Sequence, residues 1–355
     1  MRPGMNRREF LGAGATLATV ATAGCLDEFL GGPPRAPPTV ADRPDAVYVP
    51  SHVEEMAMVG TQSVGEYEVA LSYSFPHRFW NVTGDRTEKV AIEDADSVHL
   101  MATVRDPETG TVLPVGSVRA DVDGGDKDVA GRRLWPMLSQ NMGVHFGDNL
   151  ALDGDDTYDV TVTVDPLGAV AAGDFAGTFE AGASGTFLFE FSRRERNRLS
   201  LDRLQDRAGS PDAVAPMGTA NSARLPAAGD LPGDHVGRGT TGDAVFVATR
   251  LDAPPAGVEG DGPYLIVSPR TPYNRYPLPF MAVSATVERG GATVHDGDLA
   301  AAVLPGAGYH YGAVLDALQQ GDELTLSVGA PPQMARHEGY ETAFLEMGEV
   351  SMAVR

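Results

Sequence analysis

A five-residue pattern occurs twice in this chain, and that recurrence restricts the fold more than any other feature. Gly143-Val144-His145-Phe146-Gly147 is matched by Gly308-Tyr309-His310-Tyr311-Gly312 at an offset of 165 residues. After a polar turn each copy continues into a strand-like run, Thr157-Tyr158-Asp159-Val160-Thr161-Val162 in the first and Glu323-Leu324-Thr325-Leu326-Ser327-Val328 in the second. An earlier echo, Asp45-Ala46-Val47-Tyr48-Val49 against Asp243-Ala244-Val245-Phe246-Val247, appears in the same order at an offset of 198. The unequal offsets leave the first copy about 33 residues longer between the echoes, an excess that surface loops absorb. Two related domains in tandem are expected.

The runs themselves are short and β-like. Tyr67 to Phe75, Ser97 to Arg105, Tyr158 to Val164 and Thr186 to Phe191 are rich in Val, Tyr, Phe and Thr, with the alternation of half-buried strands. Asp106-Pro107-Glu108-Thr109-Gly110 and Asp153-Gly154-Asp155-Asp156 supply turn chemistry between them. The pattern predicts an all-β protein: two tandem antiparallel β-sandwiches, residues 45–192 and 243–355. Residues 193–207, RRERNRLSLDRLQDR, read as a short solvated connector helix. Residues 208–242, rich in Ala, Gly, Pro and Asp, read as linker. No glycine-rich strand-to-helix turn of the dinucleotide or P-loop kind is present.

The first 25 residues read as an address. Arg7 and Arg8 precede Phe10 and Leu11 and a weakly apolar run, the layout of a twin-arginine export signal. Thr22-Ala23-Gly24-Cys25 resembles a lipobox, and Cys25 is the chain's one cysteine, so it is the expected lipidation site. Residues 26–44 then form a Pro- and Gly-rich tether. The expected localisation is a lipid anchor on the outer face of the cytoplasmic membrane. A formal charge of −22 with only Lys89 and Lys127 as lysines argues against nucleic acid as a partner. It fits a protein soluble in concentrated salt, which screens self-repulsion, and the composition is similar to that of haloarchaeal proteins.

With Cys25 in the address, a metal site must draw on imidazole, thioether and carboxylate, which excludes cysteine-ligated zinc, blue copper and iron–sulfur centres. Mixtures of Met, His and Glu suit copper; His with carboxylate suits Fe(II). The richest stretch runs from Trp135 to Gly147, where Met137 on one strand and His145 on the next are placed to meet across a turn. The competing reading makes Met137 core filler and His145 a hydrogen-bonded structural residue. His77 closes the strand of Glu66 and Glu68, and His99 is expected to be buried in a sheet face.

Pro136-Met137, a polar turn, then His145-Phe146-Gly147 and a Tyr-rich strand resembles the pattern of the periplasmic high-affinity iron-uptake proteins that bind copper. The resemblance implies an immunoglobulin-like sandwich, a dimer, and a metal held by a His-x-Glu pair, the Met of Pro-Met, the His of the turn and a later His after Pro-Pro. Met137 and His145 carry over. For the His-x-Glu pair, His52-Val53-Glu54 matches literally, whereas Glu66-Tyr67-Glu68 matches by position, with His77 as a source of the missing imidazole. The second copy offers His310 and, after Pro331-Pro332, His337, but has Ala302 and Val303 in place of the methionine. Either one site is shared between the copies or the second copy has decayed into a structural partner. The function implied is capture of Fe(II), with copper bound or not, for delivery to an inner-membrane iron permease, by a tandem pseudo-dimer or a homodimer. The alternative is a non-metal envelope module displaying loops to a protein or polymer. Neither a Gly-x-Ser-x-Gly elbow nor a His-Glu-x-x-His helix is present, so an enzyme is not expected.

Overall fold

Alternating apolar residues build the sheets. On Val98-His99-Leu100-Met101-Ala102 and on Val144-His145-Phe146, the Val, Leu, Ala and Phe side chains enter one continuous core, and the residues between them face the other way. A computed structural model describes residues 36–125, 129–217 and 223–355. The twin-arginine motif, Cys25 and the first part of the tether lie outside these residues.

In the first half the strands are β1 (His52–Glu54), β2 (Ala57–Val64), β3 (Tyr67–Ser74), β4 (Phe79–Thr83), β5 (Arg86–Val90), β6 (Val98–Arg105), β7 (Val118–Asp123), β8 (Val129–Ser139), β9 (Gly143–Leu150), β10 (Asp156–Val164), β11 (Val170–Ala171), β12 (Ala183–Phe191) and β13 (Leu201–Arg203). The second half holds β14 (Asp234–Thr241), β15 (Ala244–Leu251), β16 (Tyr264–Arg270), β17 (Ala282–Arg289), β18 (Ala292–Asp298), β19 (Ala300–Leu304), β20 (Gly308–Val314), β21 (Glu323–Ala330), β22 (Ala335–Arg336) and β23 (Val350–Ala353). The protein is nearly all β, with its sheets forming sandwiches. Among the described residues helix is confined to single turns such as Arg193–Arg196, and no helix there is long and apolar enough to cross a membrane.

The strand order of the first half, β12-β10-β7-β8-β9-β6-β3-β2, returns in the second as β23-β21-β17-β18 and β19-β20-β16-β15-β14. The long β8 serves both layers: Leu134 pairs with Val118 of β7, and Met137 with His145 of β9. Its counterpart in the second half is interrupted at Leu299, giving β18 and β19. Gly143 and Gly308 enter β9 and β20 with φ of 74° and 70°, a left-handed conformation that glycine adopts without Cβ strain.

The halves exchange short straps. Ala335 and Arg336 of β22 pair in parallel with Met137 and Leu138 of β8, while Val170 and Ala171 of β11 pair in parallel with Ala302 and Val303 of β19. Residues 36–355 accordingly form one compact unit.

Two sequence expectations change here. Residues 45–49 form no strand: Tyr48 N–H donates to Gly339 O and Val49 N–H to Ser210 O, so this extended run pairs with loops. Within 208–242, expected as linker, residues 234–241 are β14. Val214 N–H also donates to Gln140 Oε1 at 2.9 Å. Small side chains let this backbone lie against the sheet turn, which a composition read as linker does not reveal.

Candidate metal centre

Three adjacent strands present one polar face. Met137 on β8 lies across from His145 on β9, and Gly147 and Asn149 of β9 lie across from Met101 and His99 of β6. Residues two apart point to the same side of a sheet, so His99, Met101, Met137, His145, Gly147 and Asn149 share the face opposite the core.

A further imidazole arrives from the other half of the chain. The strap β22 inserts between β8 and β4, and His337 N–H then donates to Leu138 O at 3.1 Å. Arg336, fully buried, fixes the strap by donating to Ala343 O at 2.7 Å and Pro332 O at 2.9 Å, with its guanidinium 5.4 Å from the Phe344 ring centre. The His337 ring centre thereby comes to 5.6 Å from that of His99, 5.4 Å from that of His145 and 5.2 Å from that of His77.

Hydrogen bonds settle which nitrogens are bare. Asn149 Nδ2 donates to His77 O (2.7 Å) and Asn149 Oδ1 accepts from His77 N–H (3.0 Å). The oxygen is therefore what faces His99, and His99 Nδ1–H donates to it at 2.8 Å. His145 Nδ1–H donates to Gly143 O at 3.0 Å. In both rings Nε2 keeps its lone pair. The Nε2 atoms of His99, His145 and His337 are buried without a hydrogen-bond partner, and one ligating nitrogen from each of the three residues lies within 4.8 Å of the others. An unsatisfied buried acceptor costs about 1–3 kcal/mol, and His99 and His145 each carry one beside the unpartnered Nε2 of His337, an arrangement that fits a cation.

Gly147 floors the cluster. A Cβ at this position would lie 2.7 Å from His99 Nε2 and 3.3 Å from Met137 Sδ. Thioether and imidazole thus approach one point that any larger residue would fill. Burial depresses the basicity of the rings: His99 falls to about 3 and His145 to about 4. His77 and His337 are held well below the usual range, by burial first and then by the neighbouring imidazoles. All four are neutral at ordinary pH, the state in which imidazole ligates metal. Three imidazoles and a thioether fit a late transition-metal ion.

The mouth is acidic. Glu54 holds His52 Nε2 at 3.0 Å with one oxygen and His77 Nδ1 at 3.1 Å with the other. These residues line a cleft of about 60 Å³ with Arg78, His337 and Glu338. The His77 side chain remains 16% exposed, so water reaches the cluster from this side.

The structure thus brings together Met137, His145 and His337, with His52, Glu54 and His77 at the entrance. His337 was expected beside His310; instead the strap carries it across to His145. Glu66 and Glu68 lie elsewhere: Glu66 accepts from Phe179 N–H at 2.8 Å and Glu68 pairs with Arg105, because residues 66–68 start β3 at the end remote from Ser74, the partner of His99. His310 is paired with Tyr264, away from this cluster. Sequence reasoning assigned His99 to sheet-face burial, where it lies, and did not place it among the candidate ligands. Its signal was a histidine and a methionine alternating with the core residues Val98, Leu100 and Ala102.

A family described as "Domain of unknown function (DUF7350)" matches residues 229–353. No curated protein matches the chain. Among solved structures, "as isolated" FetP of uropathogenic Escherichia coli strain F11 is 18% identical, with a TM-score of 0.31, covering 39% of this chain and 97% of that one. A copper-bound glutamate-to-glutamine variant of the same FetP is 19% identical, with a TM-score of 0.32 and the same coverages.

Proposed function

We propose that this chain is an extracytoplasmic metal-binding protein that holds one copper ion through Nε2 of His99, His145 and His337 and the thioether of Met137. One observation carries the reading: three buried imidazole nitrogens, with no protein donor to satisfy them, converge beside a methionine sulfur over a glycine. Imidazole suits copper, zinc, iron and nickel, and a thioether tips the selection toward copper, Cu(I) above all. Asn149 and the Gly143 carbonyl fix the tautomers from behind, the role outer partners play in metal sites. His77 and Glu54 stand where an incoming ion first meets protein.

The setting in iron uptake rests on the sequence pattern from Pro136 to Gly147. In that reading Fe(II) is the cargo, received at the carboxylate-bearing mouth and passed to an inner-membrane permease by a protein tethered through Cys25. A role without enzymatic turnover is part of the same proposal.

Copper titration of residues 26–355 in high salt, followed by calorimetry, tests the reading. One equivalent is expected for the native protein. His145→Ala and His337→Ala are each expected to weaken binding by well over tenfold. Titration curves indistinguishable from the native one in both variants would remove this site.

A further inference from the structure

The offset of 165 residues that relates His145 to His310 also relates the other positions of the buried cluster. His145 lies across from Met137, and His310 from Ala302. His99 lies across from Asn149, and Tyr264 from Val314. Met101 lies across from Gly147, and Ile266 from Gly312. His337 N–H donates to Leu138 O at 3.1 Å, and Ala172 N–H donates to Val303 O at 2.9 Å. Even the orienting bond recurs, since both His145 and His310 direct Nδ1 at the carbonyl two residues back, each at 3.0 Å. Every pair of matched positions is separated by the same 165 residues.

The occupants differ in one direction. Where the open site has His99, Met137 and His337, its counterpart has Tyr264, Ala302 and Ala172. Only the histidine on the turn strand persists. The space above Gly147 receives a nitrogen and a sulfur, whereas a Cβ on Gly312 would collide with the Tyr264 hydroxyl. That hydroxyl donates to His310 Nε2 at 3.1 Å, because His310 Nδ1–H is already committed to Gly308 O. His310 Nε2 is therefore satisfied, while its counterpart on His145 is not. Burial keeps the phenol protonated, raising it to about 12.

We propose that Tyr264, His310, Ala302 and Ala172 are the degenerate counterpart of the first site, built on the same backbone frame but stripped of its other donors and closed by the Tyr264 side chain, whose hydroxyl takes the place of the cation. The chain is then an internal pseudo-dimer with one open and one stoppered site. The straps are exchanged reciprocally, but only the strap ending in His337 delivers a ligand. Keeping one site closed confines the ion to the half that carries the His52–Glu54–His77 mouth, since the loop joining β15 to β16 has no hairpin like β4–β5.

This inference rests on the copper reading of the first site, and its test separates the two. In the full chain with His99→Ala and His145→Ala, the first site is disabled. Adding Tyr264→His, Ala302→Met and Ala172→His is expected to restore one equivalent of copper. A folded variant, judged by near-ultraviolet circular dichroism, that binds none would overturn the second site. Restored binding would support it even if the native chain took up no copper, an outcome that would defeat only the first reading. The native chain supplies a check that needs no folding of variants. Titration with Cu(I), which is diamagnetic, should shift the imidazole nitrogen resonances of His145 and leave those of His310 in place. A second equivalent that shifts His310 would contradict the stopper.

Discussion

His99 and His310 show how one hydrogen bond decides whether a buried imidazole is free to ligate. His99 spends Nδ1–H on Asn149 and leaves Nε2 open, while His310 has its Nε2 capped by Tyr264. Asn149→Leu should leave the donor set intact yet release the His99 ring, lowering copper affinity by roughly 10–100-fold in equilibrium dialysis. Gly147→Ala should abolish tight binding, because the added methyl occupies the point His99 Nε2 and Met137 Sδ approach. Acid should also act through these rings. His99, His145 and His310 are held at about 3, about 4 and about 4, against about 6.5 in an unfolded chain. Between pH ~6.5 and ~4 the unfolded chain takes up protons that the folded one refuses, so stability falls as pH drops through that window. Thermal unfolding of the metal-free protein across these pH values checks the sign. At this scale Met137 and His145 were legible from their two-strand spacing, and His99 was hidden because a histidine in an apolar strand looks like any satisfied core residue.

Among the elements, the strap around Arg336 is the piece on which the site most depends. Its guanidinium satisfies carbonyls that have few alternatives, and charged hydrogen bonds of this kind are worth about 1.5–3 kcal/mol each. Arg336→Met should destabilise the protein by about 3 kcal/mol and weaken copper binding by displacing His337. In the His337→Ala background, however, Arg336→Met should change affinity little, because the ligand it positions is already gone. A double-mutant cycle measures that coupling. The echo at an offset of 165 was readable because Gly, His, aromatic and Gly recur around a turn whose backbone requires them. The echo at 198 misled because Asp-Ala-Val-aromatic-Val has strand composition, yet residues 45–49 find loop carbonyls rather than a sheet edge. Two-residue parallel straps leave no periodic trace, so the exchange was not visible, and a site shared between the copies stood only as one of two alternatives.

For the whole molecule, two halves of the same topology become one unit by exchanging straps, and the site belongs to both. The all-β class and the sandwich layers followed from alternation alone, whereas the sharing of the site required coordinates. A formal charge of −22 makes the unit depend on screening, so its melting temperature should rise with salt at fixed metal concentration. The most direct measurement of the central claim is X-ray absorption on the full chain loaded with one equivalent of copper, repeated for His99→Ala and His337→Ala. A shell of three imidazole nitrogens and one sulfur is expected, with one imidazole lost in each variant, although the two residues lie in different halves. A shell without sulfur, or one unchanged by His337→Ala, would contradict that claim.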